Sequence, residues 1–113
     1  MSKKISNLTV QDFILNIEKK ILQAPDKIKN ANAVFQLNIS GPTGGSWYIA
    51  MQDPPELKEG VHENPTLTIE AEDVAFINII EGNLNPQQAL LDNKLNLLGD
   101  LSAAFKFGAL LKD

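Results

Sequence analysis

Residues 81–100, EGNLNPQQALLDNKLNLLGD, hold the clearest structural signals in the chain. Gly82 favours the end of a helix, because glycine adopts the left-handed conformation without steric cost. Asn85 followed by Pro86 is typical of a new helix, since asparagine caps the first turn and proline fits the first helical position. Residues 94–98 then largely alternate leucine with polar side chains, which predicts a strand. This stretch therefore predicts the end of one helix, a second short helix and a strand.

The segment after this strand predicts a helix of unusual composition. Asp100 is a suitable cap for a helix that runs from Leu101 to about Leu111. One face of the helical wheel carries Leu101, Ala104, Phe105 and Gly108, and the only polar interruptions elsewhere are Ser102, Lys106 and Lys112. A helix that is apolar on nearly all sides must be covered on several of them. Two explanations stay open: the helix fills a groove or a dimer contact, or part of its surface faces a bound apolar ligand.

An amphipathic helix is predicted over residues 9–24. Thr9 and Asp12 have the spacing of a short capping box. At 100° per residue, one apolar stripe contains Val10, Phe13, Ile14, Ile17, Ile21 and Ala24. Leu15 and Leu22 lie away from that stripe, where they would meet a second element or a partner.

The middle of the chain has the two-residue alternation of strands. A glycine-rich turn at residues 41–45 joins the first two strands into a hairpin. Residues 53–56 are predicted as a loop, because prolines remove hydrogen-bond donors from a sheet. A helix is expected to begin at Glu72 and Asp73, since acidic side chains stabilise a helix N-terminus. Strands are predicted at residues 35–39 and 47–51, at an edge position around 60–62, and at residues 67–69.

The composition fits one small domain. With 113 residues, of which 43% are hydrophobic, the chain can bury a core without metal or disulfide staples. We expect residues 1–8 to form an N-terminal tail and residues 9–113 to form a single domain. The net charge of −4 argues against nucleic-acid binding. The absence of cysteine excludes disulfides, thiolate metal sites and thiol nucleophiles.

The sequence has no pattern typical of a catalytic or metal site. His62 is the only histidine and is expected to be exposed in a loop, because a metal site needs three or four converging ligands. No serine lies in a Gly-x-Ser-x-Gly motif, and residues 41–45 lack the lysine of a phosphate-binding loop. The adjacent carboxylates Glu72 and Asp73 have no pocket that would separate their pKa values. We therefore expect no metal, no cofactor and no catalysis.

The signals for location favour a cytoplasmic protein. We find no signal peptide, no apolar segment approaching the ~20 residues of a membrane span, and no peroxisomal address in the last three residues, Leu-Lys-Asp. Residues 1–29 contain six lysines and three acidic residues. This basic end is either a patch for transient contact with an anionic membrane surface or, more simply, a solvated helix face.

Three stretches resemble the sterol carrier protein type 2 family, and their order and spacing match from about residue 9 to 111. They are residues 44–49, GGSWYI; residues 64–69, NPTLTI, with the acidic pair that follows; and residues 81–100. Two positions depart from the family pattern. Asn93 lies where glycine is usual, although asparagine tolerates the left-handed conformation. Leu98 replaces a commonly polar residue and adds an apolar side chain to the outer face of the sheet.

The resemblance implies an α+β fold with a five-stranded, mainly antiparallel sheet covered on one side by helices. It also implies a hydrophobic tunnel between sheet and helices that takes fatty acids, fatty acyl-CoA, sterols or phospholipids, and a final helix that lines or closes the tunnel. Carried over position by position, the implied lipid-binding residues are Trp47, Ile49, Phe76, Ile77, Ile80, Leu90, Leu95, Leu97, Leu101 and Phe105.

The function predicted in this way is non-catalytic binding and transfer of lipids. The alternative is a protein–protein interaction or dimerisation domain that uses the same apolar groove. The expected partners are a lipid or fatty acyl ligand and, transiently, a membrane surface, but no nucleic acid. The chain itself is expected to be a monomer or a weak dimer. The lipid hypothesis requires that the apolar side chains surround an open space instead of filling it.

Overall fold

A computed structural model describes residues 8–24, 26, 32–52 and 54–110, with side chains up to residue 108. The predicted tail, apart from Leu8, and the predicted end of the last helix at Leu111 lie outside the described residues. The helices and strands are α1 (Val10–Gln23), β1 (Ala33–Ser40), β2 (Gly45–Met51), β3 (Glu56–Glu59), β4 (Leu67–Glu72), α2 (Asp73–Ile80), α3 (Pro86–Leu91), β5 (Leu95–Gly99) and α4 (Ala104–Leu110), with a 3-10 turn at Leu101–Ala103 before α4.

The five strands form one sheet in the order β3-β2-β1-β4-β5. The β1–β4 pair is parallel and the other three pairs are antiparallel. This confirms the predicted α+β fold with a mainly antiparallel five-stranded sheet. The register places Phe35 of β1 between Ile49 of β2 and Leu67 of β4. Because side chains alternate along a strand, these three residues point to the same face of the sheet.

The helices cover this face, on which the apolar residues of all the strands converge. The capping box of α1 is formed as predicted: the Asp12 backbone N–H donates to the Thr9 side chain, and the Asp12 carboxylate accepts from the Thr9 backbone. The predicted stripe of α1 is buried at Val10, Phe13, Ile14 and Ile17. Leu15 and Leu22 are 53% and 82% exposed, so neither is buried against a second element among the described residues.

The opposite face of the sheet is crossed by the connection between β3 and β4, and this crossing corrects the prediction for His62. Gln36 on that face is 1% exposed. Its side-chain nitrogen donates to the carbonyl of Gly60, and its side-chain oxygen accepts from the backbone N–H of His62. His62 is therefore half-buried, with its ring edge-on to Tyr48 at 5.0 Å, and not an exposed loop residue.

The edge strand lies at Glu56–Glu59 and not around residues 60–62. The paired prolines suggested a loop that continues through Glu56, but pairing with β2 extends the sheet directly after Pro55. Sequence alternation could not show this, because three of the four residues of β3 are charged and only Leu57 is apolar.

The signals in residues 81–100 produce the predicted local structure. Gly82 has a φ of 83° after α2, and Asn93 has a φ of 60° before β5. The side chain of Asn85 accepts hydrogen bonds from the backbone of Gln87 and Gln88 at the start of α3. The side chain of Asp100 accepts from the backbone N–H of Ser102. These contacts are local, which is why the sequence alone was sufficient to predict them.

Candidate functional site

An apolar cavity of about 140 Å³ lies between the covered face of the sheet and the helices. Strands β4 and β5 form its floor, α2 forms one side, and α4 closes it from above. None of its lining residues carries a charge, as far as the structure describes the chain. They are Leu67, Ile69, Phe76, Ile79, Ile80, Pro86, Leu95, Leu97, Ala104, Phe107 and Gly108.

The cavity is open because α4 presents small residues to it. Ala104 and Gly108 lie one helical turn apart on the same face of α4. A β-carbon added at Gly108 would meet no other heavy atom within 4 Å. Larger side chains from α2, among them Ile79 and Ile80, reach the same space from the side without filling it. The backbone layers stay apart, and Ala104 and Gly108 are too small to fill the space between them; the third α4 residue at the cavity, Phe107, forms part of its wall.

A group of four phenylalanines packs together beside the cavity, on the side nearest α1. The ring of Phe13 lies 5.2 Å from that of Phe76 and 6.4 Å from that of Phe107, measured between centroids. Phe107 also packs 5.2 Å from Phe35 of β1. Since Phe76 and Phe107 line the cavity as well, these two rings form the wall between it and the packed core beneath α1.

Four of the predicted lipid-binding residues lie around this cavity: Phe76, Ile80, Leu95 and Leu97. Three others are at least half-buried but lie elsewhere. Trp47 and Ile49 are on the same face of the sheet, 7% and 0% exposed, within the packed core. Ile77 lies on the other side of α2, where it lines a shallow groove that also contains Thr43 and Asp73.

The remaining three predicted residues are exposed and do not line the cavity. Leu90, Leu101 and Phe105 are 40%, 58% and 85% exposed. Leu101 belongs to a 3-10 turn with about three residues per turn, so a wheel drawn from it at the α-helical period is out of phase for the helix that follows. Consequently α4 turns Ala104, Phe107 and Gly108 inward. In α3 the buried residue is Ala89, and its neighbour Leu90 faces outward.

Several lining residues were not predicted: Leu67, Ile69, Ile79, Pro86, Ala104, Phe107 and Gly108. The two strand residues were detectable, because Leu67 and Ile69 alternate with polar residues. The side of α4 that faces inward was not detectable, because the helix is apolar in nearly every direction.

A buried carboxylate ties the β1–β2 turn to the start of α2. The Asp73 carboxylate accepts hydrogen bonds from the Thr43 backbone N–H at 2.9 Å and from the Thr43 hydroxyl at 2.8 Å. These bonds, and a further one from the Val74 N–H, lower the pKa of Asp73 below its usual value. Gly41 is required beside it, because its φ is 102° and a β-carbon there would lie 2.5 Å from a carboxylate oxygen of Asp73.

A membrane-spanning helix and a metal-binding cluster are not found in the described part of the chain. No helix there is long and apolar enough to span a membrane. The described histidine, aspartate and glutamate side chains form no group of three that could hold a metal ion. The cavity beneath α4 is apolar, so its wall offers contacts to hydrocarbon.

Comparison with known proteins identifies relatives that this chain covers over most of their length and longer relatives that it covers only in part. The chain is 28% identical over 98 residues to non-specific lipid-transfer protein-like 1 of Caenorhabditis elegans, covering 84% of this chain and 83% of that protein. It is 26% identical over 92 residues to hydroxysteroid dehydrogenase-like protein 2 of Danio rerio, covering 74% of this chain. The chain spans only 20% of the length of that second relative.

The fold and the sequence agree on one family. Sterol carrier protein 2 from Yarrowia lipolytica, in its apo form, superposes with a TM-score of 0.78 at 23% identity, covering 99% of this chain and 96% of that one. At this identity the likeness shows the fold. The model of the SCP-2 sterol transfer family matches residues 14–112, which is nearly the whole chain. The chain therefore belongs to the SCP-2 sterol transfer family.

Proposed function

We propose that this chain binds the apolar part of a lipid in the cavity between its sheet and helices and carries it between membranes or proteins. The observation that supports this most is a space walled by apolar side chains, within a family named for sterol transfer. Hydrophobic transfer supplies the driving force, at about 0.8 kcal/mol for each methylene removed from water. Such a force has no direction and needs no particular polar residue in the wall.

The size of the cavity sets how much lipid it accepts without rearrangement. An apolar protein cavity of roughly 150 Å³ holds one benzene molecule. The cavity of about 140 Å³ therefore matches about six carbons of a lipid tail. A longer acyl chain or a sterol requires α4 to move outward, since α4 presents the smallest side chains to the cavity and its Phe105 is largely exposed.

The lining favours any sufficiently apolar ligand. Because its residues are uncharged and apolar, a carboxylate, coenzyme A or phosphate head group would remain outside, in water. Fatty acids, fatty acyl-CoA, sterols and phospholipids are all consistent with this wall. Selection among them would depend on tail shape and length.

We propose further that the chain acts without catalysis. No nucleophile, acid–base pair or metal-binding group lines the cavity in the described residues. The lipid-transfer relative, most of whose length this chain covers, supports this proposal; the dehydrogenase-like relative, of which it spans a fifth, supports the use of such a domain beside an enzyme. A cytoplasmic location, transient membrane contact and a single unit over residues 9–113 remain predictions of the sequence.

The test is lipid uptake by the delipidated protein. We expect a fluorescent fatty acid to bind with one-to-one stoichiometry and to be displaced by palmitate or a sterol. Ala104→Leu adds three carbons inside the cavity and should weaken binding at least tenfold. Phe105→Leu changes the outer side of the same helix and serves as the matched control, with binding unchanged. Failure of the wild type to take up any acyl chain or sterol, or equal weakening by both substitutions, would contradict the proposal.

A further inference from the structure

The two edges of the sheet differ in how they are protected from pairing with another strand. Exposed edge strands present unpaired backbone groups, and proteins commonly place charged side chains there to prevent association. At one edge, β3 has charges at Glu56, Lys58 and Glu59. At the other edge, β5 has the sequence LNLLG, without a charge or a proline. The sheet is therefore protected at β3 and unprotected at β5.

The hydrogen bonds of β5 show which of its backbone groups face outward. The Asp100 N–H donates to the carbonyl of Thr66 at 2.9 Å, and Gly99 lies opposite Leu67 in the register. In an antiparallel pair this makes the even-numbered residues of β5 the ones bonded to β4. The N–H and C=O groups of Leu95, Leu97 and Gly99 therefore point away from the sheet. No turn, loop or cap hydrogen bond of the described residues uses these groups.

We propose that β5 is a docking surface for the β5 strand of a second copy of this chain, paired antiparallel about Leu97. This register places Leu97 opposite Leu97 of the second copy, and Leu95 opposite Gly99 of the second copy. All three outward-facing residues then exchange both backbone hydrogen bonds. A shift of the register by one residue would bring outward-facing residues opposite inward-facing ones, and a shift by two would leave one residue at each end unpaired.

Charge complementarity supports the same register. The residues that flank the strand are Lys94 on one side and Asp100 on the other, both exposed. Pairing about Leu97 brings Lys94 of each copy opposite Asp100 of the other, so the two-fold axis generates two ion pairs. The Ser102 hydroxyl and backbone N–H, together with the charge of Lys106, lower the pKa of Asp100 below its usual value.

The side chains around β5 also fit association. Leu98 is 49% exposed on the outer face, and pairing would bring it diagonally across from Leu98 of the second copy. Leu91 and Leu101, on the segments that flank β5, are 78% and 58% exposed. Because a single five-residue strand gives a small interface, we expect a weak dimer that forms only at high protein concentration.

Sedimentation of the full chain over a range of concentrations tests the docking surface. We expect the average mass to rise from monomer toward dimer. Lys94→Glu places two acidic pairs in the interface and should raise the dissociation constant about tenfold. Asp100→Lys should act in the same direction. Mixing the two variants restores one designed and one natural ion pair, so a heterodimer should form more strongly than either homodimer.

The opposite edge of the sheet, β3, provides the control. Lys58→Glu makes the same charge change on β3 and should leave the dissociation constant unchanged. Because Asp100 also caps the turn before α4, its substitution alone could act through folding, whereas rescue on mixing could not. A wild-type chain that stays monomeric at high concentration would overturn the proposal. So would β5 backbone amides that are protected from hydrogen exchange only when vesicles or a peptide are added. Variants that do not recover on mixing would also contradict it.

Cysteine cross-linking tests the register. In the proposed pairing, residue 96 lies directly opposite residue 98 of the second copy, at the ~4.5 Å Cα separation of a pair without mutual backbone hydrogen bonds. That distance suits a disulfide. Residue 96, in contrast, lies about 7–8 Å from residue 96 of the second copy, which is too far for one. A mixture of Asn96→Cys and Leu98→Cys should therefore cross-link under mild oxidation faster than either variant alone. Equal rates for the mixture and the single variants would contradict the register.

Discussion

Apolar side chains cover both ends of the helix-covered face of the sheet, but a cavity lies over only one of those ends. Under α1, the core face of β1 and β2 is closed to solvent: Phe35, Leu37 and Ile49 are all 0% exposed, and none of them lines the cavity. Under α2 and α4, β4 and β5 carry equally apolar residues, but a cavity remains. The difference lies in the helices. The packed half receives the ring of Phe107, which contacts both Phe13 and Phe35, whereas the hollow half receives Ala104 and Gly108.

Hydrophobic content alone does not decide whether an interior is filled. Both halves exclude water, but side chains that line a void lack contact partners on one side and lose the dispersion energy of those contacts. We therefore assign most of the stability of the fold to the packed half. The hollow half gives up packing energy, and a lipid tail would restore the missing contacts. Each of the following predictions tests this division.

Truncating one leucine in each half should show the largest difference. Leu37→Ala in the packed half should lower the free energy of unfolding by about 3 kcal/mol, because it creates a cavity in a filled core. Leu97→Ala in the hollow half should cost only about 1 kcal/mol, because Leu97 is half-buried and already faces open space. Urea denaturation of the delipidated proteins measures both. Equal losses would show that the two halves are packed alike.

Filling the cavity should strengthen the fold while removing its capacity for ligand. Gly108→Leu places a side chain in open space and replaces glycine within a helix, so we expect a gain of about 1 kcal/mol in the free energy of unfolding. Uptake of a fluorescent fatty acid should fall in the same variant. Gly108→Ala provides the graded control, with a smaller loss of uptake. A destabilised Gly108→Leu protein that still binds the probe would place the ligand elsewhere.

The connection between the two halves should show a smaller, pH-dependent effect. Asp73→Asn removes the charge that binds Thr43 and should lower the melting temperature at pH 7. Because the pKa of Asp73 is lowered by folding, its stabilisation is complete above the usual carboxyl pKa of about 4 and is lost as the pH falls through the lowered value. The difference between wild type and variant should therefore shrink in acid. A difference that stays constant with pH would exclude the charge as its cause.

Local signals made much of the fold predictable from sequence. The capping box at Thr9 and Asp12 and the helix start at Asn85-Pro86 depend on residues within one turn of each other, and both are confirmed. The burial of Gln36 was not predictable, because the two partners that cover it lie 24 and 26 residues away in a connection that crosses the sheet. A polar residue at an alternating position indicates exposure unless such a crossing covers it.

The candidate site was predictable only in part, for a related physical reason. Strand residues such as Leu95 and Leu97 have two possible directions, and alternation distinguishes them. Phe105 and Phe107 lie on a helix that is apolar nearly all round, so periodicity could not distinguish the inner face from the outer one. Their placement depends on the 3-10 turn before α4 and on the group of phenylalanine rings that receives Phe107.

The most direct test of the division between the two halves is methyl NMR of the delipidated protein titrated with a fatty acid. We predict intermolecular NOEs from the acyl chain to the methyl groups of Ile79 and Ile80, which line the cavity, and none to Ile17 or Ile49 in the packed core. NOEs to Ile17 or Ile49, or saturable binding without any NOE to Ile79 and Ile80, would contradict the account.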